Sequence, residues 1–256
     1  MRLVDGAGAI QGDLPAARTH VVDVPLEAGD SRGTGIQRFG SLLAVRERTR
    51  NVLDGLEDVA ITIGGDCGVE LAAVEHALAR ADRDLAVLWF DAHPDLHTSE
   101  TSASGAFTGM VLRAIAGEGT EGLIASPAVA TSRIVLAGTR SVDEGEADYL
   151  ASSDITTVGV DDLATPDVLL AALEATGASK VYVHIDVDVL DPSEFSGKGD
   201  PVPFGIAGAQ LVALIAAVRE RFELAGAGIT EFAPSSPDAA VDDLPTLLRV
   251  IGALTR

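Results

Sequence analysis

The chain has one cysteine, Cys67, so it can form no intrachain disulfide. Basic residues are also scarce. Eighteen Lys and Arg face 39 Asp and Glu, for a formal net charge of −21. A field of that sign repels nucleic acid and anionic membrane surfaces and draws in cationic small molecules, although most of the charge serves to solvate the surface. No apolar run approaches a bilayer's thickness. The longest, Leu211 to Val218, falls far short of the roughly 20 residues a spanning helix needs. The segment Met1–Ala17 carries Arg2 but no apolar stretch, so it does not read as a signal peptide. Neither an internal repeat nor a low-complexity tract interrupts the sequence. The expected setting is cytoplasmic, without membrane or nucleic-acid partners.

What is present is enough apolar residue for one large core, 47% of 256 residues, so a single domain over 1–256 is expected. Strand-length apolar runs occur at Val59–Ile63, Leu85–Phe90, Arg133–Ala137, Ile155–Val160, Lys180–Val187 and Leu224–Thr230. Segments with helical spacing fall between them: Val69–Ala81, Phe107–Ala116, Glu144–Leu150, Pro166–Ala175, Ala209–Phe222 and Pro245–Leu254. Alternation of this kind, with nearly continuous apolar strands, predicts a parallel sheet covered on both faces. The first sixty residues add little to this pattern. Ser31–Gly35 and Asp191–Gly205 read as loops, and the second is long enough to cover a site.

Four of the strand runs end in polar residues that a buried sheet does not otherwise call for. Ile63 leads into Gly64-Gly65-Asp66-Cys67-Gly68, and Phe90 into Asp91-Ala92-His93-Pro94-Asp95. Ile185 leads into Asp186-Val187-Asp188, and Thr230 into Glu231. Ligands of open α/β sheets bind beyond the carboxyl ends of the strands, so the four endings should converge there. In extended chain, residues two apart face one way, which would group Asp91 with His93 and Asp95, and Asp186 with Asp188. Carboxylates crowded in this way repel one another unless cations neutralise them, and an oxygen-rich set with nitrogen suits a hard divalent ion. The competing structural reading makes these acids helix caps or partners of arginine.

Asp91-Ala92-His93-x-Asp95 and His184-Ile185-Asp186-Val187-Asp188-Val189-Leu190-Asp191-Pro192, with Gly64-Gly65-Asp66 before them and Glu231 after, resemble the ureohydrolases, the arginase and agmatinase family. The motifs cover roughly Ile61 to Pro234. The resemblance implies a three-layer α/β/α fold with a mostly parallel central sheet, and a Mn²⁺ pair that hydrolyses a guanidino or related amidine group. It implies that Asp91 and Asp186 bridge the ions, that His93 and Asp188 complete one site, and that Asp95 binds the other. Asp95 would also orient the attacking hydroxide and help protonate the departing amine, while Glu231 would pair with the substrate guanidinium. Two cations acidify a shared water, which agrees with such chemistry. Family relatives often form trimers or hexamers, so a homo-oligomer is implied as well.

The sequence departs from this pattern at two positions. Where the family has a histidine ligand directly after Gly-Gly-Asp, this chain has Cys67; a thiolate ligand there favours Zn²⁺, Co²⁺ or Ni²⁺ beside Mn²⁺, and a buried inert thiol is the alternative. Where arginases carry a proton-shuttling histidine, the chain has Thr108, which does not titrate near neutrality. That points to a modified substrate such as an N-hydroxyguanidine, which relies less on a general acid. His97 matches a substrate-contact position, and His184 is either an outer partner of the metal ligands or a core histidine. His20 and His76 read as structural. In Gly138–Glu146, Asp143 matches an acid that meets a substrate α-amino group, or else caps a helix. Ser104 matches the α-carboxylate end, and Asp200 is an extra carboxylate in the long loop that either meets a modified guanidine or is simply solvated.

These readings converge on a metal-dependent hydrolase of arginine or an arginine-like compound, releasing urea or a hydroxyurea-type product and an amine. Cys67 and Thr108 keep a second reading open: a metal-impaired, non-catalytic family member acting as a binding or regulatory subunit. A deacetylase-like amidase is disfavoured, because the paired acidic motifs match two ions better than one.

Overall fold

A computed structural model describes residues 3–255; Met1 and Arg2, part of the N-terminal segment considered above, and Arg256 lie outside the described residues. Six parallel strands form one sheet in the order β1-β6-β5-β2-β3-β4. They are β1 (Ile61–Ile63), β2 (Leu85–Phe90), β3 (Ile134–Ala137), β4 (Thr156–Val158), β5 (Lys180–Asp186) and β6 (Glu223–Thr230). Eight α-helices flank it: α1 (Leu3–Gly12), α2 (Phe39–Leu53), α3 (Glu70–Arg80), α4 (Val111–Ile115), α5 (Glu144–Ser152), α6 (Asp167–Ala175), α7 (Gly208–Arg221) and α8 (Pro237–Leu254). Among the described residues, no helix is long and apolar enough to cross a membrane.

The two-residue side-chain period of β2 explains the three layers. Ala86, Leu88 and Phe90 enter a core that holds Leu169 of α6, Leu214 of α7, Leu247 of α8 and Ile10 of α1. Leu85, Val87 and Trp89 enter the opposite core, with Leu53 of α2, Leu71 of α3 and Leu112 of α4. All six residues of β2 are fully buried, so this central strand has no polar face to offer. Burying one leucine-sized side chain contributes about 1.5–3 kcal/mol, so both helical layers are held mainly through such strands.

The six expected strands are all present, with ends displaced by two residues at most. Three differences concern helices. α1 and α2 lie in the first sixty residues, where the sequence offered little pattern; most of α2 is only half-buried, which leaves its apolar stripe weak. Phe107–Met110 forms a 3₁₀ turn leading into the short α4. α8 begins at Pro237 rather than Pro245, because Ser236 caps it through Ala239 N at 3.1 Å and Pro245 sits inside the helix. The missing amide of Pro245 falls opposite the carbonyl of Val241, an exposed residue whose oxygen water can serve.

Candidate functional site

The four chain segments singled out for chemistry follow β1, β6, β5 and β2, which are consecutive neighbours in the sheet. Because every pairing is parallel, their carboxyl ends lie along one edge. Register pairs Phe90 with Ile185 and Asp186 with Thr230, which places Asp91 and Asp186 side by side.

Cys67, Asp91, Asp95 and His184 each offer a ligand-type atom within 4.8 Å of the others. Cys67, Asp186 and Glu231 form a second such group, and Asp91, His93 and Asp188 a third. Sharing Cys67 and Asp91, the three make one continuous cluster. Cys67, Asp91, Asp95, His184, Asp186 and Asp188 are buried, while His93 and Glu231 are half-buried.

The cause of the convergence differs from the extended-strand argument. Asp91 lies past the end of β2, and its Oδ1 accepts the His93 amide at 2.6 Å, a turn that folds the imidazole back over the carboxylate. Asp186 repeats the device by accepting the Asp188 amide at 2.7 Å as Val187–Val189 turns into 3₁₀. Asp95 is held at φ 54° and Glu231 at φ 64°, left-handed conformations that side chains adopt only when their surroundings force them. Glu231 N is anchored to Gly65 O at 2.7 Å, and Leu112 N to Asp95 O at 3.1 Å.

Electrostatics follow from this crowding. Burial first, and then neighbouring carboxylates, push Asp95 and Asp186 well above the ordinary carboxylate range. Burial, then the charge of Asp66, raises Glu231 to about 7. Burial opposes the charge on His93, yet hydrogen bonds and charge from Asp188 and Asp91 carry its imidazole up to about 11. Asp188 Oδ2 lies 2.8 Å from His93 Nδ1. Burial likewise opposes ionisation of Asp91, but His184 and His93 hold it below the usual carboxylate range.

Cys67 Sγ lies 3.3 Å from Asp186 Oδ2 and 3.2 Å from the Thr230 hydroxyl, and burial drives its thiol up. Thr108 accepts the Cys67 amide at 3.2 Å and donates to Glu231 at 2.9 Å. Asp95 Oδ2 is buried without a hydrogen-bond partner. An orphan carboxylate oxygen among further acids, an imidazole and a thiol is a donor set that fits divalent cations.

Two residues after Asp95, His97 Nε2 lies 3.1 Å from Asp143 Oδ2 and 3.7 Å from Glu146 Oε2, and these three form a fourth group of ligand-type atoms. Asp143 is also the N-cap residue of α5, its amide donating to Glu146 Oε2 at 3.1 Å, which is the capping reading of it. Ser104 and Asp200 stand exposed on loops outside all four groups. His76 lies 3.7 Å from Asp54, and His20 is exposed.

Sequence reasoning missed Glu70, Tyr182 and Arg140. Glu70 and Tyr182 are buried behind the cluster, hydrogen-bonded to each other at 2.6 Å. The signal for Glu70 was a lone acid heading the apolar run Leu71-Ala72-Ala73-Val74. Arg140 donates to the carbonyls of Asp188, Val202 and Pro203 at 2.7–2.9 Å, and so ties the long loop to the end of β5.

Residues 11–241 match the Arginase family. The chain belongs to the arginase family. A Staphylococcus aureus arginase is 30% identical over 194 residues, which are 72% of this chain and 64% of that relative, so the chain spans less than two thirds of that protein's length. An N(omega)-hydroxy-L-arginine amidinohydrolase of Streptomyces lavendulae is 29% identical over 212 residues, 82% of this chain and 74% of that one. Among solved structures, arginase from Bacillus subtilis superposes with a TM-score of 0.86 at 24% identity, covering 98% of this chain and 90% of that one. The single parallel sheet with helices on both faces is a three-layer α/β/α arginase-type fold.

Proposed function

We propose that this chain is a dinuclear metal-dependent amidinohydrolase that cleaves a C–N bond of an arginine-like guanidino compound. The observation that carries the reading is the buried cluster itself: acids that burial pushes toward protonation, with one orphan oxygen on Asp95. Such a group is costly unless cations offset it. Cys67, Asp91, His93, Asp95, Asp186 and Asp188 would hold the two ions. When bound, the pair supplies Lewis acidity that makes water a nucleophile near neutral pH.

The remaining roles belong to side chains. Glu231, half-buried and fixed by Thr108, offers a carboxylate to the guanidinium N–H groups and fixes the carbon facing the cluster. Addition of water to that carbon and rupture of its bond to the amine leave one proton to be delivered to the leaving nitrogen. Asp95, whose buried Oδ2 makes no hydrogen bond, would carry that proton. Asp143 and Glu146, grouped with His97, would receive the amino-acid end of the substrate.

The S. lavendulae relative's name and the non-titrating Thr108 together favour an N-hydroxylated arginine over arginine itself. The test is amine release from arginine, N-hydroxyarginine and agmatine after loading with Mn²⁺, Co²⁺, Ni²⁺ or Zn²⁺. Release from N-hydroxyarginine exceeding that from arginine is expected. Metal-loaded protein that releases amine from none of them overturns the enzyme reading and leaves a binding role.

A further inference from the structure

We propose that His184 supplies the nitrogen ligand of the cation held in the Cys67 half of the centre, with Glu70 orienting its ring. The proposal rests on the two-metal reading above and assigns a ligand to it. The half in question lacks the histidine that the resemblance places at Cys67. The structure puts another imidazole beside it, carried by β5 instead of the segment after β1.

Three observations support this. Cys67, Asp91, Asp95 and His184 bring ligand atoms within 4.8 Å of one another, about twice a metal–ligand distance. Two members of the set are left short of hydrogen bonds: Asp95 Oδ2 and both ring nitrogens of His184 are buried and make none. The third is the setting of the ring. His184 Nδ1 faces Glu70 Oε2 at 3.7 Å, while Nε2 faces Asp91 Oδ2 at 3.8 Å, on the side of the cluster. A ligating histidine characteristically turns its outer nitrogen to a carboxylate, which fixes its tautomer and presents the inner nitrogen to the metal.

That arrangement is built, not incidental. Trp89 stacks on the His184 ring with centroids 3.5 Å apart and planes 23° from parallel, which fixes the ring plane. Tyr182 OH holds Glu70 Oε2 at 2.6 Å. The space Glu70 occupies exists because residue 228 has no side chain: a Cβ on Gly228 would fall 1.8 Å from Glu70 Oε1. Sulfur, nitrogen and two carboxylates make a donor set suited to Zn²⁺ or Co²⁺ more than to Mn²⁺.

The test is a Co²⁺ titration of metal-free protein, read by the thiolate-to-cobalt absorption band, which reports on the Cys67 half alone, with bound metal counted by mass spectrometry. Wild type is expected to show the band and to bind two ions, and Cys67→Ser to lose the band. His184→Asn is expected to lose the ion of this half while keeping the other. Glu70→Gln, which keeps the tyrosine contact, is expected to weaken the same band's midpoint roughly 10- to 100-fold, and it stands in if His184→Asn does not fold. An unchanged midpoint in folded His184→Asn, or in Glu70→Gln where the first is lost, overturns the ligand assignment alone. Wild-type protein that takes up no divalent ion overturns the hydrolase reading itself.

Discussion

The Thr108 hydroxyl donates to Glu231 Oε1 at 2.9 Å, and the same oxygen accepts the Cys67 amide at 3.2 Å. One side chain therefore links the residue proposed to grip the guanidinium with the one proposed to ligate a cation. Thr108→Val keeps the shape and removes both bonds. A hydrogen bond to a charged group contributes about 1.5–3 kcal/mol, so kcat/KM is expected to fall about tenfold or more, largely through KM. Thr108→Ser, which keeps the hydroxyl, should retain most activity. Steady-state kinetics that leave Thr108→Val equal to wild type would remove this role for Thr108.

Metal uptake should release protons and tighten as pH rises. Asp95, Asp186 and Asp188 are raised above their unfolded values, burial being the largest cause in each. Their contribution to stability is therefore complete below the unfolded carboxylate range, about pH 4, and is lost as pH climbs through the raised values. His93, raised to about 11, contributes in full below about pH 6.5 and loses its contribution on the same side. Asp91, being lowered, acts only in strong acid. The metal-free protein is thus expected to melt lower at pH 8.5 than at pH 6, and the gain in Tm on adding metal should widen over that range. Calorimetric titration in buffers of different ionisation enthalpy measures the protons released; a value of zero contradicts the account.

The strands and the acids at their ends were readable in the sequence because both depend on local pattern: apolar runs of strand length, then Asp-x-His-x-Asp and Asp-x-Asp. The reason those acids converge was not. Asp91 and Asp186 gather their neighbours through turns that accept the amide two residues on, and Asp95 and Glu231 through positive φ imposed by packing. Glu70 is far along the chain from Tyr182 and His184, which are neighbours on one side of β5, and only the seating of α3 against β5 and β6 brings it to them. α2 went unread for a related reason: its half-buried face carries few strong apolar positions, so its helical state depends on α3 beside it.

Arg140 should prove more important to the loop 191–205 than any carboxylate. Its guanidinium serves the carbonyls of Gly138, Asp188, Val189, Val202 and Pro203. Arg140→Met leaves those oxygens without their donor, at a cost of order 3 kcal/mol. Arg140→Lys should recover little, since an ammonium cannot span the same fork. Urea unfolding measures the loss, and limited proteolysis should show new cleavage between residues 191 and 205. A variant that resists cleavage there as wild type does would show that the loop is held by other contacts.

Gly228 offers a sharp contrast with another glycine. A methyl group at 228 would meet Glu70 Oε1 at 1.8 Å, its Cδ at 2.3 Å and Oε2 at 2.4 Å, so the carboxylate must leave Tyr182 and His184. Gly252, in α8, has nothing within 4 Å of the same added atom. Gly228→Ala is expected to cost about 1–3 kcal/mol through overpacking, whereas Gly252→Ala should gain about 0.5–1 kcal/mol from helix propensity. Because residues 70 and 228 would collide directly, their effects should not add. Glu70→Ala introduced beside Gly228→Ala removes the collision, so the double variant should be more stable than the sum of the single losses predicts. Additive losses in denaturant unfolding would mean that Glu70 swings clear of Gly228→Ala freely, and that it is held in place far more weakly than its contact with Tyr182 implies.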